Sequence, residues 1–176
     1  MGTLGQLVLT AIAAAVGTWF AAGWAFVQFR DQRAFERRMA WFDDAVLGSW
    51  KMTKALHDLT IAIDQNIAAN AGTSGDTWQR VKDCFDGMTA AFRVLRETLG
   101  LKDLYAPDLD FESAFQEFDD ASHEVGQSIG AGPHVLTVMR SSAHKQAEAM
   151  NRVHEIISAA ARKHLESRPH WWRVWG

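Results

Sequence analysis

The first 29 residues of the sequence carry no charged side chain, and this feature constrains the chain most. Within them, Leu7 to Val27 form one apolar run. A helix needs about 20 apolar residues to cross the hydrocarbon core of a bilayer. A cleaved signal peptide has basic residues before an apolar run of roughly 7–15 residues. The pattern therefore favours an uncleaved transmembrane anchor over 1–29, with a signal peptide and a helix buried in a core as the alternatives.

The basic residues that follow the apolar run predict its orientation. The arginines nearest to the run are Arg30, Arg33, Arg37 and Arg38. Basic residues beside a span stay on the cytoplasmic side. We therefore expect a single-pass protein of the cell (inner) membrane, with the amino terminus outside and the following domain in the cytoplasm. Trp24 then lies at the membrane interface, where aromatic rings are favoured.

Composition favours an all-α fold for the remainder. Hydrophobic residues make up 48% of the chain and charged residues 22%, which is typical of a folded domain. Few β-branched runs occur, and apolar residues recur with the helical period. The formal net charge of -3 gives no general attraction to nucleic acid, so we expect no nucleic-acid partner. A single cysteine, Cys84, excludes an internal disulfide framework and suits a reducing compartment.

Glycine and proline divide the rest of the chain into four predicted helices. Asp76 reads as the N-cap of the second helix, with Gln79 completing a capping box, and Gly100 reads as its C-cap. Short connections between amphipathic helices imply an antiparallel four-helix bundle. The predicted helices cover 31–69, 77–99, 111–129 and 134–166, so that the domains are the anchor (1–29), a cytoplasmic bundle (30–168) and a carboxyl-terminal tail (169–176).

The predicted helices differ in length. At 1.5 Å per residue, the first and fourth are about 58 and 50 Å long, whereas the second and third reach only about 35 and 29 Å. If the far turns are level, the first and fourth helices continue alone near the membrane. Two helices cannot cover the apolar residues of this region, so we expect a homo-oligomer whose contact includes Phe35, Met39, Trp41 and Phe42.

The tail after Pro169 combines aromatic and basic residues. Tryptophan next to arginine suits the headgroup boundary of a bilayer. We therefore predict a second membrane contact here, with a subunit contact and packing against the bundle as the alternatives. The residues concerned are Arg168, Trp171, Trp172, Arg173 and Trp175.

No pattern in the sequence points to catalysis, a cofactor or a metal. A di-iron bundle needs paired Glu-x-x-His elements, and the nearest match is a single Asp120-x-x-His123. Four histidines recur every ten residues from His134, which spirals them around a helix instead of aligning them. We expect Cys84 to be a small core residue and not a nucleophile. The predicted sets of catalytic, cofactor-binding and metal-binding residues are therefore empty.

These features favour a membrane-anchored helical interaction or effector protein without catalytic activity. Such a protein self-associates, and signals or perturbs the bilayer; small one-span bacterial proteins of stress and phage-defence systems share this layout. Its expected partners are the lipid bilayer, further copies of the chain and an unidentified protein. The alternative is a small-molecule sensor or small enzyme with a site between bundle helices.

Overall fold

The computed structural model describes residues 2–69, 75–131 and 136–167, with side chains described from Ala14 onward except at 130 and 131. These residues contain helices and no strand, which confirms the predicted all-α class. The helices are α1 (Gly2–Ala68), α2 (Asp76–Leu99), α3 (Lys102–Tyr105), α4 (Glu112–Ala131) and α5 (Leu136–Glu166).

The chain divides into two compact units, Met1–Arg38 and Met39–Gly176. The first unit consists of the amino-terminal part of α1, in which the side chains of 14–31 are exposed. In the part of the chain that the structure describes, no helix combines the length and apolarity needed to cross a membrane. The predicted span is therefore unsupported, and the side chains of Leu7 to Ala13, its first residues, lie outside the described part.

The second unit is a bundle in which α1 and α2 run antiparallel. At one end of the pair, Trp41 Nε1 on α1 donates a hydrogen bond to the Thr98 carbonyl on α2 at 2.8 Å. At the other end, Asn66 Nδ2 donates to Thr77 Oγ1 at 3.1 Å. Residue numbers that rise on α1 while they fall on α2 define the antiparallel direction.

The same comparison of residue numbers gives the direction of the helices that contact α5. Ser49 on α1 lies 2.8 Å from His154 Nδ1, and Asp64 Oδ1 lies 2.8 Å from Arg140 Nε, so that α1 and α5 are antiparallel. Glu124 on α4 accepts a hydrogen bond from Ser142 at 2.7 Å, and Glu117 pairs with Arg152. Helices α4 and α5 are therefore antiparallel too.

Aromatic contacts complete the bundle between α2 and α4. The ring of Phe92 lies 5.6 Å from Phe115 and 4.9 Å from Phe118, between ring centroids. Each long helix thus has two antiparallel neighbours, in the order α1, α2, α4, α5 and back to α1. The predicted antiparallel four-helix arrangement agrees with these contacts.

The core consists of the predicted helical seams. The residues of the predicted α2 seam are all buried or pack against the core; they are Trp78, Val81, Phe85, Met88, Phe92, Leu95 and Leu99. The predicted apolar face of α1 is buried at Phe35, Phe42, Leu56, Leu59 and Ile63. It is half-buried at Met39 and Val46, and exposed at Ile67 near the end of the helix. The largest apolar side chains with less than 2% exposure are Phe118, Met52, Leu56, Leu59, Ile63, Leu95, Met139, Met150, Ile157, Val81 and Val125.

The ends of α2 confirm one prediction and correct another. Gly100 is the C-cap, as predicted, and its N–H donates to the Arg96 carbonyl at 2.9 Å. The predicted N-cap, Asp76, is wrong: Gly75 holds that position with φ of 122°, a backbone conformation that favours glycine. Gln79 does not complete a capping box, because its side chain donates to Asp83 at 2.9 Å.

The expectation that Trp41 and Phe42 lack cover within the chain is wrong. Trp41 is 4% exposed and Phe42 5%. The ring of Trp41 stacks on Tyr105 of α3 with centroids 6.4 Å apart, and Phe42 packs 5.5 Å from the ring of His164 on α5. Sequence periodicity missed α3, because one turn of helix carries no period.

Helix α3 is joined to α4 by an ion pair. Lys102 Nζ donates to Glu112 Oε1 at 2.7 Å, and this hydrogen bond raises the pKa of Lys102. The ammonium group also lies 5.6 Å from the centroid of Phe111. The connection between α2 and α4 thus covers the end of the bundle at which only the first and fourth helices were predicted to continue.

Candidate functional site

A groove between α1 and α5 has a mainly apolar surface and a volume of about 730 Å³. Each helix contributes a stripe of side chains at the spacings that place residues on one face. On α1 the lining residues are Asp43, Val46, Leu47 and Trp50; on α5 they are His154, Glu155, Ser158, Ala161, Arg162 and Leu165.

The groove exposes apolar surface. Leu47 is 48% exposed and Trp50 is 53% exposed, although each lies one position beyond a buried or partly buried residue of α1. Large apolar side chains with this exposure, next to one another on one concave surface, mark a contact site more often than an isolated exposed residue does. The groove is therefore suited to bind an apolar group.

Polar groups at the floor of the groove centre on His154. Ser49 is fully buried, donates to the Val46 carbonyl at 3.0 Å and lies 2.8 Å from His154 Nδ1. A hydroxyl has one hydrogen, so this arrangement is satisfied when Nδ1 carries the ring proton. His154 Nε2 then accepts from Ser158, whose oxygen lies 3.4 Å away.

This serine–histidine pair is not arranged as a catalytic nucleophile and base. A nucleophile must reach its substrate, and Ser49 has no exposed surface. The pair instead fixes the imidazole of His154, a half-buried residue at the edge of the predicted seam. His154 and Ser158 can orient a bound polar group, while Asp43, Glu155 and Arg162 place charge along the groove.

A second cavity of about 710 Å³ lies between α4 and α5, and all of its lining residues except Val138 have polar side chains. Inside this helix pair, Ser142 donates to Glu124 Oε2 at 2.7 Å, and Ser128 donates to the Glu124 carbonyl at 2.8 Å. Lys145 lines the same cavity. Besides these residues, the cavity is lined by Gln127, Thr137, Val138 and Ser141.

The predicted contact residues fall into four groups. Trp24 is exposed in the first unit, and Phe35, Trp41 and Phe42 are buried. Met39 is half-buried. The tail residues, Arg168, Trp171, Trp172, Arg173 and Trp175, lie outside the described part of the chain, as does the predicted start of the fourth helix at residue 134.

The groove itself was not predicted from the sequence. Its signal is present on α1, where Leu47 and Trp50 are apolar but lie beside the predicted core face instead of on it. Helical periodicity identifies the face that enters the core, and it does not show whether apolar residues beside that face line a groove. Whether they do depends on the width of the gap between α1 and α5, which the sequence of one helix does not determine.

The described residues considered from the sequence as a nucleophile or as metal ligands have no arrangement that suits either role. Cys84 is half-buried beside the core, and burial, more than the charges around it, raises the pKa of its thiol. His123 lies 2.8 Å from the side-chain nitrogen of Gln127, and Asp120 accepts from Gln116 at 2.9 Å. Among the described side chains, no group of three or more His, Cys, Asp or Glu is placed to hold a metal ion.

No protein-family model, no curated protein and no solved structure matches this chain.

Proposed function

We propose that this chain is a membrane-anchored interaction protein whose helical bundle contacts other molecules, without a reaction of its own. The observation that carries the proposal is the exposed apolar surface of the first unit. Trp19 is 75% exposed and Trp24 is 70% exposed, and these belong to a set of large apolar side chains that also includes Val16, Phe20, Phe26, Val27 and Phe29.

The distribution of this set around α1 favours lipid as its environment. At 100° per residue, the seven side chains spread over about 220° of the helix circumference. A partner that packs on one face covers a narrower stripe of about 100°. A bilayer surrounds a helix on all sides, so it covers the whole set. The uncharged residues before Val16 lengthen the apolar segment, and Arg30 and Arg33 follow it on the side expected to stay in the cytoplasm.

Membrane fractionation tests the anchor. We expect the full chain to stay in the membrane pellet after alkaline carbonate extraction. Val16→Arg combined with Phe20→Arg should move it to the supernatant, because each arginine near the centre of a span costs about 2.5–3.5 kcal/mol. Val94→Arg is the matched control, since Val94 is an exposed apolar residue of α2 (61%). Release of the unmodified chain by carbonate would contradict the proposal.

A reporter fused after Gly176 tests the orientation, for which a cytoplasmic signal is expected.

Self-association is also part of the proposal. The small residues Ala13, Gly17 and Ala21 recur at every fourth position of α1, which allows two helices to approach closely in a membrane. A Cβ at Gly17 meets nothing within 4 Å, so a side chain added at this position starts in open space. Gly17→Ile should lower the oligomer mass in detergent if copies meet here; an unchanged mass contradicts this contact.

The cavity between α4 and α5 supports a second candidate function, a sensor for a small polar molecule. Its volume lies within the roughly 300–1,000 Å³ that ligand sites occupy, and polar side chains such as Ser142 and Lys145 line it. A thermal-shift screen of charged and hydroxylated metabolites tests it. A ligand should raise the melting temperature of the wild type and have a weaker effect on Ser142→Ala. A flat screen, or equal shifts in both proteins, would contradict this candidate.

A further inference from the structure

The α1–α5 groove has a direction that relates it to the end of the described chain. Its α5 stripe runs from His154 to Leu165, about 16 Å at 1.5 Å per residue. Because the helices are antiparallel, Trp50 lies at the His154 end and Asp43 at the Leu165 end. Leu165 comes one residue before α5 ends at Glu166. The polypeptide therefore leaves α5 beside one end of the groove.

We propose that the carboxyl-terminal segment, residues 168–176, binds in the α1–α5 groove of its own chain. The segment contains large apolar rings, which can cover the exposed apolar surface of the groove, and positive charges, which can pair with its carboxylates. Proline at 169 has no backbone N–H to continue the helix, and it biases Arg168 away from helical geometry. The chain is thus expected to change direction there, within reach of Leu165.

The length of the segment matches the groove. Six residues, 171–176, span at most about 20 Å when extended, against the 16 Å of the α5 stripe. Trp171 and Trp175 lie four residues apart, at most about 14 Å when extended, so the three tryptophans can cover most of the groove. Each indole ring that covers Leu47 or Trp50 removes apolar surface of both partners from water.

The charges of the two surfaces are complementary. The groove carries two carboxylates, Asp43 and Glu155, and one guanidinium, Arg162. The segment carries two guanidinium groups, Arg168 and Arg173, and no acidic side chain. Ion pairs on an exposed surface contribute little affinity, so the apolar contact supplies the stability and the charges favour one orientation.

Covalent attachment makes even a weak contact effective. A short connection gives a linked segment a local concentration on the order of millimolar at its site. A groove contact with a dissociation constant below that value is therefore mostly occupied. A lipid surface competes with the groove for the segment, because tryptophan next to arginine also suits lipid headgroups.

Disulfide trapping in the full chain distinguishes these partners. In a Cys84→Ser background, Leu47→Cys is paired with Val174→Cys, which leaves all three tryptophans of the segment in place. The control pairs Val174→Cys with Val94→Cys on α2, an exposed position that does not line the groove. A disulfide needs Cα atoms within about 7 Å, so its formation reports proximity. Oxidation is followed by non-reducing gels and mass spectrometry, in dodecyl maltoside and in vesicles of phosphatidylcholine and phosphatidylglycerol.

We expect an intramolecular disulfide in the Leu47→Cys pair to form at least about tenfold faster than in the Val94→Cys pair, in both environments. Replacing Trp171, Trp172 and Trp175 with alanine should abolish the difference. Equal rates in the two pairs would overturn the proposal. So would disulfides only between copies, which would identify the segment of a second copy as the occupant. Trapping in detergent that disappears in vesicles would assign the segment to lipid and overturn the proposal. No trapping in either environment would show that the segment does not bind in the groove, and would overturn it as well.

Discussion

A buried polar side chain is stable where each of its donors and acceptors is paired, and this bundle contains both satisfied and unsatisfied examples. Ser49 is satisfied by Val46 and His154. Gln146 is fully buried on α5, and its amide nitrogen donates to Ser122 Oγ on α4. Its oxygen, Oε1, has no hydrogen-bonding partner among the described residues. The amide of Gln146 therefore has a partner for its nitrogen and none for its oxygen among the described residues.

Substitutions of this pair should have unequal costs. Ser122→Ala leaves the Gln146 amide without its acceptor, and a buried unpaired donor costs about 1–3 kcal/mol of unfolding free energy. Gln146→Met keeps the length of the side chain and removes the unpaired oxygen, so its cost should stay within about 1 kcal/mol. Urea unfolding in mild detergent, followed by circular dichroism, measures both. A larger loss for Gln146→Met than for Ser122→Ala would contradict this account.

The thiol of Cys84 should react slowly. Burial raises its pKa, and Asp58 and Asp83 act in the same direction, whereas Arg80 opposes them. A raised pKa means less thiolate at any given pH, and the thiolate is the nucleophile. Alkylation by iodoacetamide should be slower than that of free cysteine at neutral pH. Its rate-against-pH curve should be shifted to more alkaline values; a curve at or below that of free cysteine would contradict the prediction.

At the scale of the elements, helical periodicity predicted the ends of the four long helices within two residues, except for the start of α1. That helix was predicted from residue 31 but begins at Gly2, because the apolar segment and the first bundle helix form one helix. The buried seam of α2 and the C-cap at Gly100 were predicted too. Two local features were not. Gly75 displaced Asp76 as the N-cap because a positive φ favours glycine, and α3 is too short for its period to show. The groove depends on how two elements are spaced, so neither helix alone predicts it.

Trp41 joins three elements, because it lies on α1, donates to Thr98 of α2 and stacks on Tyr105 of α3. Trp41→Phe should cost about 1 kcal/mol, since it removes one hydrogen bond and keeps an aromatic ring. Trp41→Ala should cost about 3–5 kcal/mol, as expected for a large cavity at a buried site. Urea unfolding measures the difference. If Trp41→Ala lowers the oligomer mass without loss of stability, the ring belongs to a subunit contact instead.

At the scale of the whole molecule, the sequence predicted a bundle and the direction of its helices, but not how its end is closed. The prediction of two uncovered helices assumed that the chain between α2 and α4 adds nothing to the bundle. Tyr105 covers Trp41, and Lys102 connects α3 to α4. The exposed large apolar residues of the first unit are concentrated between Val16 and Phe29, whereas those of the second unit are spread over several helices. The two units therefore differ in how densely apolar side chains cover their surfaces.

This contrast predicts that the bundle folds without the first unit. Residues 39–176 include Trp41, Phe42 and the rest of the buried core cluster, so removal of 1–38 takes away no member of it. We expect this truncated chain to remain in the supernatant without detergent, to be helical by circular dichroism and to unfold in one cooperative urea transition. The full chain should instead need detergent, because its exposed Trp19 and Trp24 remain. Phe35, buried although it precedes residue 39, supplies the control: a chain beginning at Asp31 should be at least as stable as the shorter one. Aggregation of both truncated chains, or a broad non-cooperative transition, would show that the bundle depends on the apolar segment for folding.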